Sequence, residues 1–233
     1  MSNVKKDARI IAIDGPSGSG KSSVSKRVGA ALGFLHVDSG ALYRIMTWQC
    51  LKRLGDTSNP QEIDAISRQV SVDFIPKDGA VTYHVDGEEP GDVLRTPEIN
   101  RHASTVATVK GVRDQITTWL REMTRFGDLI VEGRDITTAV FPETPARFYL
   151  EASAEARAER RRKEEIEKGI AQQSAEEVKA SLLARDKIDS SRKYAPLKKA
   201  DGVTVIDSTH LTLDEVVQTV MDALPSAWKQ PRA

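Results

Sequence analysis

One stretch of eight residues constrains this chain more than any other. Gly15-Pro-Ser-Gly-Ser-Gly20-Lys21-Ser22 fits the pattern G-x-x-x-x-G-K-[ST] in full. Arg9-Ile-Ile-Ala-Ile-Asp14 precedes it, an apolar run rich in β-branched residues that predicts a buried parallel strand. Lys21 to Leu32 comes next, with Val24, Val28 and Leu32 spaced as on one face of an amphipathic helix, and Gly33 ends it. Strand, glycine-rich turn and helix together demand a phosphate cradle. Gly15, Gly18 and Gly20 allow backbone angles and close approach that a Cβ would block. Pro16, Ser17, Ser19 and Ser23 complete the loop, whose N–H groups and helix N-terminus point at phosphate oxygens. Lys21 sets a positive charge near the β- and γ-phosphates, and the Ser22 hydroxyl suits Mg²⁺. The expected ligand is a nucleoside triphosphate; the loop does not say what accepts the phosphate.

The rest of the chain alternates strand and helix. Phe34–Val37, Leu129–Val131, Ala146–Leu150 and Val203–Ile206 read as further strands, and Ala41–Leu54, Ala175–Asp186 and Leu213–Leu224 as helices. Helical texture covers Pro97 to Thr124, and Gly55 and Asn59-Pro60 read as breaks. Alternation of this kind predicts an α/β fold, a P-loop-type parallel sheet with helices on both faces. Near Val70 the texture changes to period two, with Asp78-Gly79 and Asp86-Gly87 as turn dipeptides, so an antiparallel β-rich insert is expected over 65–98. Glu155 to Lys168 is a charge run, six basic and five acidic residues in fourteen, which reads as a solvated helix laced with ion pairs.

Composition closes off other classes. The 34 Lys and Arg balance 34 Asp and Glu, so the chain as a whole is no basic nucleic-acid or membrane-surface binder. Cys50, the single cysteine, excludes an intrachain disulfide and reads as buried. No apolar run approaches a membrane span, and the first residues do not resemble a signal peptide, so a cytoplasmic enzyme is expected.

Three constellations bear on the acceptor. Asp38-Ser39-Gly-Ala-Leu-Tyr-Arg44 comes after the second strand, on the same sheet edge as the glycine loop. Ser39 serves there as helix cap, ligand contact or both. Arg44 suits bidentate phosphate capture, although alone it reads more readily as a surface ion pair. Gly133-Arg134-Asp135 stands at a strand end that faces the cleft. Arg185, Asp189 and Arg192 are spaced four and three apart, and spacing alone favours a salt-bridge ladder.

Taken together, these four motifs in this order resemble bacterial cytidylate kinase, a P-loop nucleoside monophosphate kinase family, from about Ile10 to Asp207. The resemblance implies transfer of the γ-phosphoryl group of ATP to CMP or dCMP, with Mg²⁺. It implies that Arg44 and Arg134 hold the acceptor phosphate, that Ser39, Ser104, Arg113, Asp135 and Arg192 surround the cytosine or its phosphate, and that Arg185 and Asp189 meet the ribose. It makes 1–233 one kinase domain, 65–98 an inserted monophosphate-binding subdomain, and 155–172 a mobile lid carrying Arg157 and Arg161. Lys21, Arg134, Arg157 and Arg161 are then the catalytic cations. Glu132 stands where many members carry Asp, and Thr137-Thr138 where Gly-Thr is common.

The chemistry also stands on the residues. A carboxylate can take the cytosine amino protons and an arginine can serve its O2 and N3, so Asp135 and Arg113 form a sensible cytosine reader if they converge. The acceptor phosphate is largely dianionic at pH 7, so no general base is needed, and His36, His84, His102 and His210 read as structural. A kinase for another small acceptor such as UMP is the alternative. A P-loop GTPase would carry D-x-x-G and N-K-x-D, and neither occurs. A non-catalytic nucleotide sensor conflicts with intact Lys21, Ser22 and the arginine set. The chain is expected to act as a monomer, with no nucleic acid or membrane as partner.

Overall fold

The computed structural model describes residues 8–167 and 174–230. Strands β1 (Ile10–Asp14), β2 (Leu35–Asp38), β3 (Val72–Lys77), β4 (Ala80–Val85), β5 (Leu129–Gly133), β6 (Ala146–Glu151) and β7 (Thr204–Asp207) form one seven-stranded sheet ordered β3-β4-β2-β5-β1-β6-β7. Every pairing is parallel except β3 with β4. The helices among the described residues are α1 (Lys21–Leu32), α2 (Ser39–Leu54), α3 (Pro60–Ser67), α4 (Pro97–Val106), α5 (Lys110–Glu122), α6 (Ala154–Glu167), α7 (Ala175–Ser191) and α8 (Leu213–Ala223).

Strand alternation builds two cores, one on each face of the sheet. Ile11, Ile13, Ile130, Phe148 and Leu150 pack with Val24, Val28 and Leu32 of α1 and Val216 and Val220 of α8. Ile10, Ala12, Val37, Leu129 and Val131 point the other way, onto Leu42, Ile45 and Met46 of α2 and Val112 and Ile116 of α5. The chain crosses from β1 through α1 to β2, which lies beyond β5, so the carboxyl end of β1 is a topological switch point. Open α/β sheets bind ligands at such points, and the glycine loop stands there. Cys50 is buried, and no helix of the described residues is long and apolar enough to cross a membrane.

The antiparallel pair expected within 65–98 is β3 and β4, turned by Asp78 (φ 49) and Gly79 (φ 75), the paired positive φ that a two-residue hairpin favours. It does not stand apart from the sheet. The backbone N–H of His36 donates to Gly79 O at 2.9 Å, and His36 pairs with Ala80, so the hairpin is an edge extension of the parallel sheet.

Several element boundaries differ from those read in the sequence. Asn59-Pro60 starts α3 instead of breaking the chain: Asn59 Oδ1 accepts from the N–H groups of Gln61 and Glu62, and Pro60 takes the first helical position. The helical stretch from Pro97 to Thr124 is two helices, α4 and α5, separated at 107–109. α7 runs to Ser191, five residues past the expected end at Asp186, and Arg192 is its C-cap with extended backbone. Of the expected lid at 155–172, residues 168–172 lie outside the described residues.

Candidate active site

The glycine loop is fixed from behind. Gly15 has φ 152, and a Cβ there would lie 2.0 Å from Leu150 O on β6, so no other residue fits. The loop carbonyls are turned towards the protein. Pro16 O accepts from Lys21 Nζ at 2.7 Å, Ser17 O from Arg157 Nη1 at 3.1 Å, Ser19 O from Ser208 Oγ at 3.2 Å, and Gly20 O from the Val24 N–H at 3.0 Å. These carbonyls are committed, and of the amides Ser17 N–H is held by Asp186 Oδ1 at 3.3 Å; the helix N-terminus and the other loop amides suit an anion. Burial, then Arg134, drives Lys21 from its ordinary pKa down to about 7. Such a cation gains when an anion arrives.

Ser22 heads α1 and is exposed, with Ser23 beside it. Its Oγ donates to Glu132 Oε2 at 2.8 Å, and Glu132 Oε1 bonds His36 Nε2 at 2.8 Å. Among the described residues no group of three or more His, Cys, Asp or Glu is arranged to hold a metal. One hydroxyl backed by one carboxylate suits Mg²⁺ instead, which is bound mainly through substrate phosphates and water.

The acceptor-side residues converge although they lie on α2, α4 and α5, just after β5, and on α7 and its C-cap. Asp135 is buried and pairs with Arg113 Nη2 through Oδ2 and with Arg192 Nη2 through Oδ1 at 3.5 Å. Arg113 also donates to Ala107 O at 3.1 Å, and its guanidinium stands 5.2 Å from the Tyr43 ring centroid. Arg192 meets Asp189 Oδ1 at 3.5 Å and donates from Nε to Ala195 O at 2.8 Å. Ser104 is buried on α4. Ser39 is buried at the start of α2, and a Cβ at Gly133 would fall 2.5 Å from its Oγ, so Gly133 lets β5 and α2 approach. Asp135 and Arg113 therefore do converge, as a cytosine reader requires.

Next to this lies a surplus of positive charge. Arg134 donates from Nε to Asp189 Oδ2 at 3.2 Å. Arg44 Nη1 is 3.6 Å from Asp38 Oδ2, and its Nε donates to Asn100 Oδ1 at 3.3 Å. Arg185 Nε is buried with no hydrogen-bond partner. Burial first, then Arg134 and Arg44, pull the Arg185 pKa down from 12.5 to about 10, and Arg161 adds to this. Arg44 is lowered by burial and, more weakly, by Arg95 and Arg134. Arg134 and Arg44 thus act on Arg185 and Arg134 acts on Arg44, so the three guanidinium groups are electrostatic neighbours, and Arg134 acts likewise on Lys21. The spacing of Arg185, Asp189 and Arg192 suggests a ladder, and Asp189 with Arg192 is one rung of it; Asp189 also meets Arg134, Arg192 also meets Asp135, and Arg185 Nε is left without a hydrogen bond.

Arg157 and Arg161, both on α6, part company. Arg157 is buried, donating to Ala152 O and Ser17 O at 3.1 Å each and to Asp186 Oδ2 at 2.5 Å. Arg161 is half-exposed and pairs with Glu164 and Glu165 on its own helix, the i,i+3 and i,i+4 ladder expected of the charge run.

Sequence reading passed over several members. Asp14 is fully buried and accepts from the Ile136 N–H at 2.9 Å and from the Thr137 N–H and Oγ1 at 2.7 Å each, tying the root of the glycine loop to the turn after Asp135. Burial, then Asp135, pushes its pKa up to about 6. Tyr43 is raised by burial and then by Asp135, and its ring stands against the Arg113 guanidinium. Asp186 pairs with Arg157 and accepts from the Ser17 N–H at 3.3 Å. The signals present in the sequence were the charged end of an apolar strand for Asp14 and the step of four from Ser39 for Tyr43.

A glycine-loop cradle, a metal-competent hydroxyl and a cation cluster facing a buried carboxylate–arginine group define a P-loop phosphotransferase with a separate anionic acceptor. The comparisons with known proteins give the family. The family model described as Cytidylate kinase matches residues 11–226. A cytidylate kinase of Bacillus cereus is 37% identical over 216 residues, 92% of this chain and 96% of its own length, and one of Bacillus anthracis matches equally. A solved structure of an uncharacterized protein from Eubacterium ventriosum shares the fold, with TM-score 0.52 at 12% identity, over 93% of this chain and 97% of that one. The chain belongs to the cytidylate kinase family, and its reaction is the phosphoryl transfer of a nucleoside monophosphate kinase.

Proposed function

We propose that this enzyme transfers the γ-phosphoryl group of ATP to CMP or dCMP, giving ADP and CDP or dCDP. The observation that carries the reading is the buried Arg113–Asp135–Arg192 group beside the under-neutralised Arg44, Arg134 and Arg185. The first offers a carboxylate acceptor and guanidinium donors, the complement of a cytosine edge; the second suits an anion. Uracil presents a carbonyl where cytosine has its amino group, and a buried polar mismatch against Asp135 costs ~1–3 kcal/mol.

In this reading the glycine-loop amides and Lys21 hold the donor phosphates. Ser22 would hold Mg²⁺, which neutralises charge on the transferred group. Arg44 and Arg134 hold the acceptor phosphate. Arg185, expected at the ribose, is assigned to the phosphate as well because its buried Nε has no partner and Arg134 and Arg44 lower its pKa. Asp189, also expected at the ribose, aligns Arg134 and Arg192, to which it bonds. The acceptor is already dianionic, so catalysis is positioning and charge neutralisation. The region 65–98 serves the monophosphate side, supported by the 3.4 Å contact of Tyr83 Oη with Asp38 O, and 155–172 closes over the donor. The enzyme works as a cytoplasmic monomer without nucleic-acid or membrane partners. The test is ADP release from MgATP with CMP, dCMP, UMP or no acceptor. Release with CMP or dCMP alone is expected; equal release with UMP, or without acceptor, overturns the proposal.

A further inference from the structure

Glu132 is nearly fully buried at the carboxyl end of β5, and both its carboxylate oxygens are committed: Oε2 to the Ser22 hydroxyl and Oε1 to His36 Nε2, each at 2.8 Å. The link to His36 spans 96 residues and arises from register. Asp38 of β2 pairs with Glu132, and His36 with Ile130, so His36 and Glu132 are diagonal neighbours on the face that α1 covers. The Ser22 hydroxyl and the imidazole occupy one carboxylate oxygen each, and the His36 tautomer with hydrogen on Nε2 makes the second contact a donated hydrogen bond. His36 is itself anchored through its backbone, where its N–H reaches Gly79 O at the one register pair joining β2 to the hairpin.

From this chain of contacts we infer that His36 is a positioning residue for the donor site: by holding Oε1 of Glu132 it aims Oε2 at Ser22 and so orients the hydroxyl that would bind the divalent metal. The inference rests on the donor-site reading above. Without the imidazole, Oε1 is a buried oxygen with no donor, an arrangement costing ~1–3 kcal/mol. The carboxylate then relaxes by rotating, and rotation takes Oε2 off Ser22. The effect reaches the metal and spares the acceptor, because Arg113, Asp135 and Arg192 bond to one another and not to Glu132. Outer-sphere partners of metal ligands commonly matter at the 10–100-fold level; one relay further out, a loss of roughly 5–10-fold is expected.

The test compares wild type with His36→Phe, which keeps a ring of similar size, and His36→Gln, whose amide N–H stands near the place of Nε2. Three quantities are measured: ADP affinity in EDTA, Mn²⁺ affinity of the protein–ADP complex by paramagnetic resonance, and CMP affinity as a check on the fold. His36→Phe is expected to weaken Mn²⁺ binding roughly 5–10-fold, leaving metal-free ADP and CMP binding within about twofold, and His36→Gln to recover most of the loss. Unchanged Mn²⁺ binding, an equal loss in EDTA, or no recovery with Gln overturns the inference and leaves the donor site intact. A wild-type protein that binds no ADP overturns the donor-site reading itself.

Discussion

Arg185→Met tests the surplus of positive charge directly. In the free protein the Arg185 pKa falls from 12.5 to about 10. At about 1.4 kcal/mol per pKa unit, the charged form is disfavoured in the fold by ~3 kcal/mol, and by ~1–2 kcal/mol after screening of a part-exposed side chain. The folded pKa lies below the unfolded one, so this cost is present at every pH below about 10 and is relieved only as pH rises through it. Methionine keeps much of the apolar stem and removes the charge. The free variant should therefore melt higher, by roughly 3–6 °C for a chain of this size. Its acceptor affinity should fall roughly 10–100-fold, the worth of a charge-assisted hydrogen bond to phosphate. Thermal melts with and without CMP read both effects, and the CMP-induced shift should shrink in the variant. A variant that melts lower than wild type and binds CMP normally would refute the argument that Arg185 waits for an anion.

Three further perturbations probe other parts of the site. Asp135→Asn should lower turnover with CMP far more than with UMP, and should also cost stability of ~3–5 kcal/mol because two buried guanidinium groups lose their counterion; equal losses on both substrates would remove the base-reading role. Lys21 has a folded pKa of about 7 against 10.5, so the fold binds fewer protons than the unfolded chain between those values and its stability rises with pH across them. Metal-free ADP binding at pH 8 should then take up close to one proton, read by calorimetry in buffers of different ionisation enthalpy, and Lys21→Met should abolish the uptake. Gly15→Ala forces a Cβ to 2.0 Å from Leu150 O at φ 152; a melting temperature within a degree of wild type would contradict an expected loss of ~3 kcal/mol or more.

Local chemistry was legible and long-range partnership was not. The strands, α1 and the glycine loop announce themselves because period, cap and turn residues are written within a dozen positions. Asn59-Pro60 misleads because an Asn-Pro pair reads equally as a break or as a helix start; here Gly55 ends α2 and the pair only caps α3, and the apolar spacing of the residues after Pro60 decides between the two. The extension of α7 through Ser191 had no local stop signal, since its capping residue is an arginine in extended backbone. The Asp135 ion pairs join residues 22 and 57 positions away, and no spacing rule carries that information. The edge attachment of the hairpin rests on one register pair at His36, again invisible to periodicity. Glu132 shows the boundary most plainly: its place at a strand end was readable, and its two partners on α1 and β2 were not.

Arg157 and Arg161 on α6 give the sharpest separation between holding a site and acting in it. Arg157 sits where the loop is clamped: it donates to Ser17 O, Ala152 O and Asp186, and a Cβ on Gly18 would lie 3.1 Å from its own Cβ. A side chain so placed has no freedom to swing towards a transferring phosphoryl group without opening the loop that holds it. Among the described residues Arg161 pairs with carboxylates of its own helix, each exchangeable for phosphate oxygens, and it already raises the electrostatic cost of Arg185. The two alanine variants should therefore fail differently. Arg157→Ala leaves Asp186 without its buried cation and should cost ~3–5 kcal/mol of stability, with donor KM raised and the melt lowered. Arg161→Ala should melt within about a degree of wild type and lose on the order of 10³ in kcat, the scale of a transition-state arginine. A stable Arg157→Ala with collapsed kcat, beside a fully active Arg161→Ala, would reverse the two assignments.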